Sequence, residues 1–178
     1  AGPTYEAIDP VRFIGNHSSG LLGVEIARAF ADQGADVTLV LGPSNISPNR
    51  NNIKVFPVTS AKEMYDAVMT FFPTTDIAVL SAAVADFRPE MVADQKIKKN
   101  PDTDTITLKL VKTEDILKTV GSKKKENQTV VGFALETENG ISNAKKKLHT
   151  KNIDLIVLNE MNESGVGFKT KTNKVSII

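Results

Sequence analysis

The chain has no cysteine and no tryptophan, and among its 178 residues it has two histidines, two tyrosines and eight phenylalanines. Without cysteine the protein forms no disulfide and offers no thiolate nucleophile, a composition that suits the cytoplasm. With imidazoles only at His17 and His149, a closed zinc site is not expected, and no metal-ligating residues are assigned. No apolar run is long enough to span a bilayer and no stretch reads as a signal peptide, so no membrane partner is expected. Charges nearly cancel, at a formal +1, which gives no electrostatic case for nucleic acid as a partner. The length suits one domain over residues 1–178, large enough for a core without staples.

Against these absences stands one unusual stretch, Arg12 to Gly23. It is polar and glycine-rich, then turns into an amphipathic pattern that runs to Gln33. Ser18 or Ser19 is placed to cap the helix. Gly20 and Gly23 would let a ligand approach its first turn, where free amides and the helix dipole favour an anion. On this reading a phosphate binds beside Ser19 and Gly20, with Asn16 and Arg12 facing the reacting atoms. The plainer reading is a capped helix after a surface loop.

Two familiar phosphate loops are excluded. Gly15 to Gly20 has the glycine spacing of a Walker loop, but Leu21 and Leu22 stand where Lys and Ser/Thr belong. A three-glycine dinucleotide fingerprint is absent as well.

Along the chain, residues 5–17 read as a long connection. In the first helix Leu22, Ile26 and Phe30 form an apolar stripe with Ala27 and Ala31 beside it, and Gly34 ends it. Strands are expected at 36–41, 53–58, 76–80, 105–110, 129–134 and 154–158. Ser60 to Glu63 forms a capping box opening a second helix, with Met64, Ala67, Val68, Phe71 and Phe72 inward. Thr113 to Asp115 caps a short third helix. A basic fourth helix spans about 141–151, with Ile141, Ala144 and Leu148 inward and its lysines mostly outward. Strands alternating with helices imply an α/β, Rossmann-like, doubly wound and mostly parallel sheet with helices on both faces. On such sheets ligands bind beyond the carboxyl ends of strands. The loops at 81–86, 136–140 and 159–165 should therefore converge with Arg12–Gly23. Residues 95–101 form a basic loop. Ala1 to Thr4 reads as a turn after an absent strand, and 175–178 stops inside an apolar one, so a segment lacking its first strand and C-terminal end is expected.

Several motifs together resemble one family, the phosphopantothenate–cysteine ligases of coenzyme A biosynthesis. They are Ala1-Gly-Pro-Thr4, Ile8-Asp-Pro-Val-Arg-Phe-Ile14 with Asn16-His-Ser-Ser-Gly20, Ala82-Ala-Val-Ala-Asp86, Lys96-Ile-Lys-Lys99, Val131-Gly-Phe-Ala134 and Glu136-Thr137. Lys147, Lys151, Asn152, Asp154 and Asn159 continue the pattern, in order and across the whole chain. The likeness is strongest to the bacterial synthetase half that follows a flavin-dependent decarboxylase in one polypeptide.

The resemblance implies that the carboxylate of 4′-phosphopantothenate attacks the α-phosphate of CTP and releases pyrophosphate. L-cysteine then attacks the acyl-cytidylate and expels CMP. It also implies Mg²⁺, a homodimer, and a basic flap carrying Lys96, which would neutralise the triphosphate. Asn16 would donate to the tetrahedral oxyanion of the second step, a contribution of about 3 kcal/mol in comparable sites. Arg12 would hold the intermediate or a substrate phosphate, where the plainer role is a structural ion pair. Nucleotide and substrate contacts fall to Ser19, Gly20, Ala82, Ala83, Val84, Asp86, Glu114, Asp115, Ile116, Leu117, Phe133, Lys147 and Lys151. Asp86 would meet a ribose hydroxyl or the metal. Gly15 stands where the family often has Ser, Glu114 where it often has Pro, and Leu135 where Ala is common. The competing reading is an NAD(P)-dependent oxidoreductase. It wants an acidic residue at the end of the second strand, where Val40-Leu-Gly-Pro43 stands, and neither Tyr5 nor Tyr65 has Lys four residues on.

Overall fold

The computed structural model describes residues 1–99, 101, 104–136, 138–160 and 175–178. The expected mixed α/β architecture with parallel strands and four α-helices is observed. Thr137 and the loop from 161 to 165 lie outside the described residues. The chain divides into two compact units, 1–66 with 82–114 and 67–81 with 115–178.

The first unit opens with β1 (Glu6–Ala7) and β2 (Phe13–Ile14), paired antiparallel. The sequence shows only a connection here, because two-residue strands are too short for any periodicity. α1 (Leu21–Asp32) packs on the parallel pair β3 (Val37–Leu41) and β4 (Ile53–Pro57). Its inward face keeps Ala27 and Ala31 of the expected stripe and adds Val24. Val24, Ala27 and Ala31 are buried with Leu39, Leu41 and Ile53, whereas Leu22 is exposed. Small side chains bring the helix close to the strands, rotating the larger Leu22, Ile26 and Phe30 toward its flank. Gly34, at φ +90, ends α1 as expected, because Ala31 accepts its amide in a conformation that favours glycine.

Ala1 to Thr4 is not a turn but a segment bonded to Gly42 and Ala83, with an isolated parallel bridge between Pro3 and Ala83. The Gly42 amide donates to the Ala1 carbonyl, the Ala83 amide to the Gly2 carbonyl, and the Thr4 amide to the Ala83 carbonyl. Gly42 is obligatory there, since a Cβ would lie 1.7 Å from the Pro3 oxygen. β6 (Phe87–Pro89) pairs antiparallel with β7 (Leu110–Lys112), so the strand expected at 105–110 begins only at its last residue. Ile106 and Leu108 are exposed and lie outside that three-residue pair.

α2 (Ala61–Phe71) starts in the first unit with the expected capping box. The Glu63 amide donates to Ser60 Oγ, and the Ser60 and Thr59 amides donate to the Glu63 carboxylate. The helix ends in the second unit, whose sheet has the order β10-β9-β8-β5. There β5 (Ile77–Leu80), β8 (Thr129–Glu136) and β9 (Leu155–Glu160) are parallel, and β10 (Val175–Ile177) is antiparallel at the edge. α3 (Ile116–Lys123) and α4 (Gly140–Lys151) pack on each other; α3 also packs on β8, and α4 on β8 and β9. Ile116, Val120, Val130, Ala144, Ile156 and Leu158 form the interior. Ile141 is exposed, contrary to expectation, and the buried residues of α4 are Gly140 and Ala144.

Candidate active-site elements

In the first unit the site residues gather around one backbone group, the carbonyl of Ala83. It accepts from the Thr4 amide and, at 2.5 Å, from Asn16 Nδ2. Asn16 Oδ1 accepts from the Ser18 amide at 3.1 Å. The carboxamide is thus fixed in rotation at both ends, with one N–H outside these bonds. Asn16 takes no part in capping α1, whose N-cap position Gly20 occupies. The sequence supplies this geometry because Thr4, fully buried, also accepts the Ala85 amide on its hydroxyl, and Thr113 Oγ1 donates to the Ala85 carbonyl. Ala82, Ala83 and Val84 are half-buried, and Asp86 is exposed, its carbonyl accepting the Thr113 amide.

The start of α1 corrects the capping expectation. Gly20 occupies the N-cap position at φ +81, without a side-chain cap. Ser18 Oγ instead accepts the Gly20 amide, and Ser19 Oγ the Leu21 amide. Gly20 is buried with Gly2 and Ser44 within 3.3 Å of where its Cβ would be. Gly15 is set by Tyr5, which stacks on Phe13 with ring centroids 4.0 Å apart; a Cβ at 15 would lie 2.7 Å from the Tyr5 ring.

Arg12 does form the structural ion pair that was its plainer reading. Nε and Nη2 both donate to Asp9 Oδ2, and Nη2 also donates to the Ile97 carbonyl at 3.0 Å. Its side chain remains 47% exposed. The Arg12 guanidinium, with the amides of Val11, Ile97 and Arg12, holds the Asp9 carboxyl well below the usual carboxylate range. In the sequence Asp9 stands out only as a member of the Ile8–Ile14 motif. Lys96, Lys98 and Lys99 are exposed, and residues 95–99 belong to no helix or strand.

In the second unit the expected nucleotide residues converge. Asp115 caps α3, Oδ1 accepting the Lys118 amide at 2.9 Å, while Oδ2 pairs with Lys151 Nζ. Burial pushes its carboxyl up, but the Lys151 ammonium, the Lys118 amide and Lys147 outweigh this and hold it low. Lys147 Nζ donates to the Phe133 carbonyl at 2.8 Å. The two lysines, one turn apart on α4, therefore turn toward β8 and α3 and not outward. Ile116 is buried and Leu117 half-buried. Glu114 is exposed and closes the first unit.

The family model for the DNA/pantothenate metabolism flavoprotein C-terminal domain matches residues 1–178. A protein named cysteine/cysteine sulfinic acid decarboxylase, from an unknown prokaryotic organism, is 51% identical over the whole chain and 49% of its own length. The coenzyme A biosynthesis bifunctional protein CoaBC of Bacillus subtilis is 47% identical over 99% of the chain and 43% of its own length. The chain thus spans about half the length of the curated relatives it matches. The crystal structure of a C-terminal domain of CoaBC superposes with a TM-score of 0.78 at 37% identity, covering 100% of this chain and 82% of that one.

Proposed function

The chain belongs to the family of DNA/pantothenate metabolism flavoprotein C-terminal domains, and from that premise we propose that it is the phosphopantothenate–cysteine ligase of coenzyme A biosynthesis. The carboxylate of 4′-phosphopantothenate attacks the α-phosphorus of CTP and displaces pyrophosphate. The amine of L-cysteine attacks the resulting acyl-cytidylate, and the tetrahedral intermediate expels CMP. The observation that carries the reading is the Asn16 carboxamide, held by Ser18 and Ala83 with one N–H remaining for an oxyanion. A neutral amide suits that task because it donates without titrating and needs no reorientation as charge develops.

Lys96 neutralises the triphosphate in the first step, and Lys147 and Lys151 serve the nucleotide from α4. Asp115, Ile116, Leu117 and Phe133 line the nucleotide, and Glu114 and Asp86 meet its outer groups. Ser19, Gly20 and Ala82 to Val84 hold substrate beside Asn16. Magnesium characteristically binds through substrate phosphates, water and one or two carboxylates. The exposed Asp86 fits that demand, so the ion would travel on CTP and supply charge neutralisation there. We further place the enzyme in the cytoplasm, as a homodimer, acting as a single synthetase domain. In the full-length protein it would follow a flavin-dependent decarboxylase, in keeping with its share of the bifunctional relatives.

Pyrophosphate release should require CTP and 4′-phosphopantothenate together, and CMP release should further require cysteine. Pyrophosphate formed from CTP alone, or reduction of a nicotinamide instead, would refute the assignment.

A further inference from the structure

Asp9 is 2% exposed, and none of the roles above uses it. Its two oxygens do different work. Oδ1 accepts the Val11 amide at 2.9 Å and the Arg12 amide at 2.8 Å, closing a local turn. Oδ2 accepts Arg12 Nε, Arg12 Nη2 and, at 3.1 Å, the amide of Ile97. Arg12 Nη2 then donates to the Ile97 carbonyl. Both polar groups of Ile97, 88 residues away in sequence, are therefore gripped by one carboxylate–guanidinium pair. Lys96 and Lys98 flank the gripped residue. A second tether, from the Ala93 amide to the Ile8 carbonyl, holds the segment where it leaves β6.

We propose that Asp9 is a positioning residue: acting with Arg12, it fixes the backbone of Ile97 and so places the Lys96 ammonium beside the triphosphate of CTP while the 4′-phosphopantothenate carboxylate attacks the α-phosphorus. The inference rests on the ligase reading. The physical argument is that a lysine on an otherwise irregular segment has many positions to lose. Fixing the adjacent peptide groups before substrate arrives reduces that cost at the transition state. A carboxylate is needed because one oxygen must accept three N–H groups while the other keeps the turn.

Asp9→Asn separates the two functions. An amide oxygen can still accept from Val11 and Arg12, but an NH₂ group then meets the Arg12 fork and the Ile97 amide. In single turnovers we expect acyl-cytidylate formation at saturating CTP to slow tenfold or more. Conversion of preformed acyl-cytidylate and cysteine to amide should stay within twofold. Lys96→Gln should show the same split. Trypsin cleavage after Lys96, Lys98 and Lys99 should accelerate in Asp9→Asn, a readout independent of activity. Ile97→Pro removes the donor to Oδ2 without touching buried Asp9; if Asp9→Asn folds poorly, it should reproduce the first-step defect and the faster cleavage after Lys98 and Lys99, the Lys96–Pro bond itself being resistant to trypsin. Equal slowing of both half-reactions, or unchanged cleavage with an unchanged first step, would overturn the proposal. A wild-type protein that makes no acyl-cytidylate would overturn the ligase reading, and the cleavage comparison would still decide whether the tether exists.

Discussion

Replacing Asn16 with Asp is expected to leave pyrophosphate release within about tenfold of wild type and to lower amide formation by about 10²–10³, as for loss of one oxyanion donor. The separation follows from where charge develops. In the first step of the proposed reaction the negative charge lies on phosphate oxygens, whose neutralisation is the role proposed for Lys96. In the second it lies on the former carboxyl carbon's oxygen, which a carboxylate at position 16 would repel. The substitution has a local cost as well. An oxygen would replace the Nδ2 that donates to Ala83, setting two acceptors 2.5 Å apart. Asn16→Ala removes the donor without that repulsion, so amide formation should fall there too, and less steeply. Acyl-cytidylate should accumulate in both variants, readable by rapid quench and chromatography. Full ligation in either would remove Asn16 from the mechanism.

The second large effect is on folding of the unit that carries Lys147 and Lys151. Gly121 lies in α3 where that helix meets the end of α4. A Cβ there would sit 1.8 Å from the Lys151 carbonyl oxygen and 3.0 Å from that of Asn152. Both obstacles are backbone, so no side-chain rotation relieves them. Asn152 Nδ2 also donates to the Gly121 carbonyl at 2.8 Å, pinning the same junction. Overpacking of a close contact costs about 1–3 kcal/mol, occasionally more, and backbone opposition on both sides places Gly121→Ala at the upper end. We expect a melting temperature lower by about 6–12 °C, since ~1 kcal/mol moves a domain of this size by about 2–4 °C. Helices α3 and α4 must part to admit the methyl, which separates Lys151 from Asp115. Apparent affinity for CTP should therefore fall more than that for cysteine. An unchanged melting temperature would show that the two helices pack more loosely than this junction implies.

How much of this was legible in the sequence depends on the range over which each feature is encoded. The Asn16 stretch, the Ser60–Glu63 box and the Asp115 cap rest on neighbours within four residues, and all three segments appear where expected. On α1 the expected stripe holds at Ala27 and Ala31 but not at Leu22, because periodicity weights large side chains, whereas the contact with β3 and β4 selects small ones and Val24. The β1–β2 pair has two residues on each side, below any repeat. The strand at 105–110 was displaced because its limit is set by the three-residue partner β6. Most of the candidate site's support is longer in range still. Asp9 with Ile97, Asn16 with Ala83, and Asp115 with Lys151 join segments 88, 67 and 36 residues apart. A sequence displays such residue types without showing which of them meet. For Lys147 and Lys151 the expectation of solvated lysines failed for that reason, since their partners lie on β8 and at the head of α3.

The central claim is that a carboxylate oxygen becomes bonded to the nucleotide before the amine attacks. Ligation with 4′-phosphopantothenate labelled with ¹⁸O in both carboxylate oxygens tests this directly, by mass spectrometry of the nucleotide product. Activation through an acyl-cytidylate places one labelled oxygen in each CMP and leaves the other in the amide. CMP without label, or label found in pyrophosphate or inorganic phosphate, would contradict the account.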